Sequence, residues 1–281
     1  MDKFKNSLFM KLIALLMLII ILPGIVSNVI AYRQNYHMMQ QQIIDWNESM
    51  MGIGMEETID YIRRIEQAPM NLFENPDVVR ILNRKTKFTD VERYMVRKYG
   101  KAVSDKAPVI FRIVMYCKNG EVIDGVYANA QRRMEIGEYQ YPERSEDIFQ
   151  VGRDEAGNPI YLIYNMDIQN VPSYDTTVSM RIFADLKELQ DVTKTLCGQY
   201  KDNVVMVCLG EDGGELIYTS SFFEDADYAE KELLENHYTK GILDGAKGMF
   251  FLKRDFYKGE EVRLIMFVDN HWFTDPAERA V

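Results

Sequence analysis

Cysteine is scarce in this chain: Cys117, Cys197 and Cys208 are the whole set among 281 residues. So small and odd a set makes no disulfide framework. Cys117 and Cys208 lie in apolar strand-like runs, where a buried small hydrophobe is the plain role. A Cys117–Cys208 bridge has no spacing argument behind it. Histidine is equally scarce, and His37, His237 and His271 fall in no zinc pattern such as HExxH. No cysteine pair has zinc spacing, and no GxSxG elbow occurs. Positive charge is in deficit, with 33 Lys and Arg against 43 Asp and Glu and a net charge of −10. That argues against nucleic acid, which needs a basic face, and against an electrostatic grip on anionic lipid. The acidic cluster Glu224, Asp225 and Asp227 precedes an acidic helical stretch; its plain role is to complement the helix dipole, with calcium as the alternative. These absences leave no catalytic constellation, no metal site and no cofactor to expect.

The first 31 residues are the most specific feature present. A basic lead with Lys3, Lys5 and Lys11 precedes the uncharged run LIALLMLIIILPGIVSNVIA, Leu12 to Ala31. About 20 apolar residues cross the hydrocarbon core of a bilayer as a helix. Flanking lysines hold the short end in the cytoplasm. The chain beyond Arg33 is therefore expected outside the membrane, on a single-pass anchor. A cleaved signal peptide is the alternative, with Pro23-Gly24 ending an apolar core and Val29-Ile30-Ala31 as cleavage site. Val29 suits such a site poorly, and the apolar run continues past Pro-Gly. The remaining residues, about 250, can bury one large core or two small ones.

Residues 33–67 read as a long stalk helix. Tyr36, Met39, Ile43, Trp46, Met50 and Ile53 recur at 3-4-3-4-3, a heptad seam. It suits either a helix packed on its own domain or a second copy in a homodimer. After Gly52-Ile53-Gly54 the seam restarts out of phase at Met55, Ile59 and Ile62, and the glycines predict a kink or register shift. Asn75-Pro76-Asp77 starts a second helix. Thr89-Asp90-Val91-Glu92 is a capping box for a third, with Gly100 a suitable stop.

Strands follow. Val109 to Cys117, the hairpin signal Asn119-Gly120 and Glu121 to Tyr127 come first. Residues 128–147 hold no clear strand. Ile148 to Gly152, Pro159 to Ile168 and Thr176 to Asp185 come next, then a helix with Leu186, Leu189, Val192 and Leu196 on one side. A shorter version repeats the plan: Val204 to Leu209, Glu215 to Ser220, an acidic helix over Glu224 to Tyr238, Met249 to Phe256 and Glu261 to Val268.

This order, with VIFRIVMYCKNGEVIDGVY and VVMVCLGEDGGELIYTSS as local features, resembles the double Cache sensor domain. The leader and NLFENPDVVRIL are similar to the sensor portions of histidine kinases from Gram-positive bacteria. The resemblance covers roughly residues 32–275. It implies an α+β fold: a transmembrane helix (12–31), helical stalk and helices (32–105), a membrane-distal PAS-like sheet unit (106–198), a membrane-proximal one (202–270) and a tail (271–281). It also implies a small-molecule ligand in the distal unit, and a helix movement passed through the membrane. Kinases of this family continue into a second membrane helix and a cytoplasmic output. This chain ends in HWFTDPAERAV without either, so a truncated sensor and a stand-alone tethered domain are both open. The competing class is a membrane-tethered scaffold acting through its stalk with a partner protein.

Strand alternation sorts the side chains by face. Phe111, Ile113, Met115 and Cys117 share one face; Arg112, Val114 and Tyr116 share the other. Asn165 and Asp167 fall on one face of their strand, and Arg181 on one face of its own. If the stalk covers the greasy face, the mixed face looks toward 128–147. The candidate ligand site is then Arg112, Tyr116, Tyr127, Arg132, Tyr139, Tyr141, Asn165, Asp167 and Arg181. An arginine there clamps a carboxylate, and Asp167 holds an ammonium. Amino-acid-binding family members use a tyrosine, an arginine and an aromatic pair in this loop region, then an aspartate. Tyr127 and Arg132 match the beginning; the tryptophan–tyrosine pair is absent, with only Tyr139 and Tyr141 nearby. The plain roles are ion pairing on a solvated sheet for the arginines and core packing for the tyrosines.

Overall fold

The structure is a computed structural model, describing residues 2–127, 147–154, 157, 159–170, 175–189, 192, 196, 204–210, 215–219 and 226–269. Helix α1 is continuous over Asp2–Met70, 69 residues. Near its N-terminus lies an 18-residue window of mean hydropathy 2.7, none of it buried. By length and composition this helix can cross a membrane. The described residues divide into two compact units, α1 as far as Ser49 and the span Met50–Asn270.

Within Met50–Asn270, α1 buries Met51, Met55, Ile59, Tyr61, Ile62 and Ile65. This is the phase expected from Met55, Ile59 and Ile62. The glycines expected to mark a kink or register shift do not interrupt the helix, which is continuous through Gly52-Ile53-Gly54. Gly54 has a packing reason instead. A Cβ there would lie 2.6 Å from a methyl of Leu196, whereas one at Gly52 would meet nothing within 4 Å.

Helix α2 (Pro76–Leu82) is capped by the Asn75 side chain, which accepts from the N–H of Asp77 at 2.9 Å and of Val78 at 3.3 Å. Helix α3 (Asp90–Lys106) opens with the expected capping box. The Glu92 N–H donates to Thr89 Oγ1 at 3.3 Å and the Thr89 N–H to Glu92 at 2.8 Å. Two donors left without intrahelical partners are thereby satisfied. Gly100 does not stop α3. It is buried where a Cβ would lie 2.1 Å from the Tyr127 hydroxyl, so it serves a close approach to the neighbouring sheet.

The first sheet holds β1 (Ile110–Cys117), β2 (Val122–Val126), β3 (Phe149–Arg153), β4 (Pro159–Asn170) and β5 (Asp175–Asp185). Its order is β2-β1-β5-β4-β3, antiparallel throughout. At the β1–β2 turn the Cys117 N–H donates to the Glu121 carbonyl at 2.9 Å. The turn therefore occupies 118–120, with Gly120 at φ 80°, and the positive φ is what demands glycine.

The second sheet holds β6 (Val204–Gly210), β7 (Glu215–Thr219), β8 (Ala226–Tyr228), β9 (Tyr238–Leu243), β10 (Ala246–Tyr257) and β11 (Glu260–Asp269), in the order β7-β6-β11-β10-β9-β8. The architecture is the expected α+β. The acidic helix, however, shrinks to α4 (Glu230–Asn236), ended by His237 at φ 66°. Asp227 sits in β8 and not at a helix N-terminus; Glu224 and Asp225 lie outside the described residues. Strands β8 and β9 are additions to the sequence reading. Hairpin β9–β10 turns on Asp244-Gly245, at φ 49° and 81°, the positive-φ pair of a type I′ turn.

Cys117 and Cys208 are buried and free. Burial pushes the Cys117 thiol up to about 12 and the Cys208 thiol up to about 11. Both are therefore inert packing residues. Cys197 lies outside the described residues.

Candidate functional site

The two faces of the first sheet differ in chemistry. On one, Ile113, Met115, Cys117, Leu162, Tyr164, Val178, Met180 and Ile182 are buried. Helices are tied to the strand ends around it. The Tyr61 hydroxyl donates to the Asp185 carbonyl at 2.9 Å, and Ser104 Oγ to the Ile110 carbonyl at 2.5 Å. Arg93 anchors α3 to the β1–β2 turn through Glu121, at 2.9 and 3.3 Å.

The opposite face carries the polar groups in three cross-strand rows. Gln150, Ile163, Phe183 and Arg112 form the first. Asn165, Arg181 and Val114 form the second, and Asp167, Ser179 and Tyr116 the third. Directly paired residues share a face with their Cβ atoms about 5 Å apart, so each row is a contact set. Phe111 joins this face too. A bulge between Ile110 and Arg112 breaks the alternation, and Phe111 packs edge-on to Tyr161 at 5.7 Å. Phe111, Val114, Tyr161, Ile163 and Phe183 make one apolar cluster beneath the polar groups.

Phe183 is the centre. The Arg112 guanidinium lies over its ring at 5.0 Å and that of Arg181 at 5.5 Å. Arg112 is also gripped by Asp124 in a two-point ion pair, at 2.9 and 2.6 Å. Arg181 is only 5% exposed. Its NH2 donates to Gln150 Oε1 at 2.9 Å, and the same oxygen accepts from Asn165 Nδ2 at 3.2 Å. A second bond from Asn165 Nδ2 reaches the Asp147 carbonyl at 2.7 Å. Burying a cation costs several kcal/mol unless it is compensated. A desolvated cation–π contact returns about 2 kcal/mol, and the Gln150 amide adds a hydrogen bond. The planar fork of a guanidinium matches the geometry of carboxylate and phosphate groups.

Of the expected site residues, the structure brings Arg112, Asn165 and Arg181 together, and sets Tyr116 and Asp167 in the adjoining row with Asp167 exposed. Tyr127 does not join them. Gly125 pairs with Ile113 on the helix side of the sheet, and Tyr127 shares that side, wedged between Gly125 and Gly100. Arg132, Tyr139 and Tyr141 lie outside the described residues. Gln150, Phe183 and Asp124 are the additions. Phe183 was legible as the residue two beyond Arg181; Gln150 needed the β3–β4 register. Among the described residues no group of three His, Cys, Asp or Glu could hold a metal ion.

No protein-family model matches the chain, and no curated protein matches it by sequence. Solved structures match by fold. The sensory domain of the Campylobacter jejuni chemoreceptor Tlp3 (CcmL) superposes with a TM-score of 0.56 at 11% identity, covering 85% of this chain and 98% of that one. The same domain with isoleucine bound gives 0.54 at 10%, with coverages of 85% and 98%. The sensor domain of the Vibrio cholerae histidine kinase DctB gives 0.52 at 10%, covering 82% and 98%. This is the double Cache sensor fold. At such identities the likeness is one of fold and assigns neither a site nor a ligand.

Proposed function

We propose that the chain is the sensor portion of a signal-transduction receptor, of the histidine-kinase kind. In this reading residues 12–31 anchor it in the membrane, the rest is extracytoplasmic, and a small molecule binds on the polar face of the first sheet. It acts by binding and performs no catalysis. One observation carries the reading: the guanidinium groups of Arg181, only 5% exposed, and of Arg112 lie over the same Phe183 ring on the polar face of the first sheet. That arrangement fits a ligand with a planar anionic group, a carboxylate first, with Asp167 and Tyr116 in the next row for a second polar group. The fold's relatives support a small molecule in this role: one Tlp3 structure holds isoleucine and another L-valine. Arg132, Tyr139 and Tyr141 complete the proposed site from the segment that follows β2.

The stalk supports self-association. Met39, Trp46 and Ile53 are 42%, 59% and 46% exposed and repeat every seventh residue on α1. A period of seven matches a second helix lying alongside, so a homodimer through the stalk belongs to the same proposal. Ligand binding then biases the packing of α1 against the first sheet, and α1 carries the difference toward the membrane.

The test is a thermal-shift screen of the full chain in lipid nanodiscs against a panel of small carboxylates and amino acids. At least one compound should raise the melting temperature increasingly with its concentration, as binding to the folded state requires, and Arg181→Met should abolish that rise. A panel without a hit, or a hit indifferent to both Arg181→Met and Arg112→Met, removes the reading.

A further inference from the structure

We infer that a second small-molecule site lies in the groove between α3 and β2, on the helix side of the first sheet, and that it takes a small organic anion with an apolar body. The groove meets the polar face around Phe183 only at Asp124, whose carboxylate Arg112 holds there.

The groove encloses about 650 Å³, within the usual range for small-molecule sites, about 300–1,000 Å³. Its helix wall is Tyr94, Arg97, Lys98 and Lys101, a single stripe of α3 because residues three and four apart share a face. Its sheet wall is Asp124, Gly125 and Tyr127. Charge is unbalanced between the walls. Asp124 is already held by Arg112, at 2.9 and 2.6 Å, and Lys101 by Asp105, at 2.7 and 2.9 Å. Arg97 and Lys98 form no ion pair among the described residues. In a chain of net charge −10, two uncommitted cations on one wall of a groove make a local exception to the prevailing field.

The floor supplies a directional group. The Tyr127 hydroxyl is buried and has no hydrogen-bond partner among the described residues. An unmade bond at a buried hydroxyl is a standing cost, and among the described residues nothing offers the acceptor that an anion in the groove would supply. Burial pushes this phenol up to about 12, against the lowering influence of Arg97, so it carries its proton at neutral pH and acts as a donor. Two glycines make room for it: a Cβ at Gly100 or Gly125 would lie 2.1 or 2.0 Å from its oxygen. The Tyr94 ring, 67% exposed, offers an apolar face at the groove's mouth. An anionic head between Arg97, Lys98 and the Tyr127 hydroxyl, with an apolar body along Tyr94, uses every uncommitted group of the groove. Carboxylate and phosphate heads share this chemistry.

The experiment is isothermal titration of the full chain in detergent micelles with benzoate, phenyl phosphate and, as the uncharged analogue, benzyl alcohol. At least one anion binds saturably and benzyl alcohol does not; the preferred anion tells a carboxylate site from a phosphate site. Arg97→Gln combined with Lys98→Gln weakens binding by about tenfold or more, equivalent to about 1.4 kcal/mol. Both residues are exposed, so that variant folds. Tyr127→Phe weakens it about threefold to tenfold, as loss of one hydrogen bond should, while Arg181→Met leaves it unchanged. Absence of binding by both anions at about 10 mM, a range weaker than about −3 kcal/mol, overturns the inference. So does equal binding of benzyl alcohol, wild-type affinity in the Arg97/Lys98 variant, or loss of binding in Arg181→Met. Failure of the polar-face screen alone leaves this result standing.

Discussion

Lys258 and Glu66, 192 residues apart in sequence, form an ion pair in the fold. Lys258 occupies the β10–β11 turn at φ 55°, beside Gly259 at φ 92°, and its Nζ also donates to the Tyr164 hydroxyl at 3.1 Å. The Tyr257 hydroxyl donates to the same Glu66 carboxylate. Tyr164 belongs to the first sheet, where its ring lies 5.3 Å from Phe149, and Phe149 lies 6.5 Å from Tyr257. Stalk helix, first sheet and second sheet therefore converge on one carboxylate.

Removing either end of this link should loosen it measurably. Glu66→Gln and Lys258→Met should each lower stability by about 1 kcal/mol, the worth of a charge-assisted bond after discounting for the half-exposed lysine. The double variant should lose little more than the worse single, because the pair is one interaction. Urea unfolding of the four proteins completes the cycle. Simple additivity would show that the two residues act independently.

Acid should dissolve the same link. Burial alone would raise the Glu66 carboxyl, but hydrogen bonds from Lys258 and Tyr257 and the Lys258 charge outweigh it and hold the group below its ordinary 4.5. A carboxyl depressed by folding stabilises above its unfolded value and loses that contribution as pH falls through the folded one. The stability gap between wild type and Glu66→Gln should be full at pH above 4.5 and should close as the solution is acidified below it. A gap that is constant down to full protonation would contradict the assignment.

The two stalk glycines should part company. Gly52→Ala should stabilise the chain by about 1 kcal/mol, since alanine is the better helix former and nothing crowds the site. Gly54→Ala drives a methyl into the Leu196 side chain and should destabilise by about 1–2 kcal/mol net of that gain. Leu196→Ala in the Gly54→Ala background should recover part of the loss. Thermal unfolding of the three variants reads the contrast, and an equal response at both glycines would revive the hinge expected there.

Self-association should depend on the exposed heptad stripe. Trp46→Glu combined with Met39→Glu should shift the full chain toward monomer in sedimentation measurements in detergent, because charges at a helix seam oppose pairing. Stability of the fold itself should be little changed, since both residues are exposed in the single chain. A monomeric wild type would retire the dimer proposal.

Local signals were legible where a few adjacent residues decide the outcome. Asn75 and the Thr89–Glu92 box cap as their types dictate, and alternation put Arg112 and Arg181 on one face. What escaped depended on partners distant in sequence. Gly100 looks like a helix stop until Tyr127 is placed against it. Tyr127 looks like a partner of Arg112 until the Gly125–Ile113 register fixes its side. Gln150 becomes a ligand of Arg181 only once β3, β4 and β5 are aligned. Strand β9 is the exception, for Asp244-Gly245 carried an adequate local turn signal. The acidic helix read from the sequence ends at Tyr238 and leaves 239–248 with no element.

Between Met50 and Met70 helix α1 is unbroken. Each turn is held to the next by backbone hydrogen bonds, so a push felt at Glu66 is shared with Tyr61 rather than absorbed between them. The carboxylate link and the hydroxyl that holds the end of β5 answer to the same load.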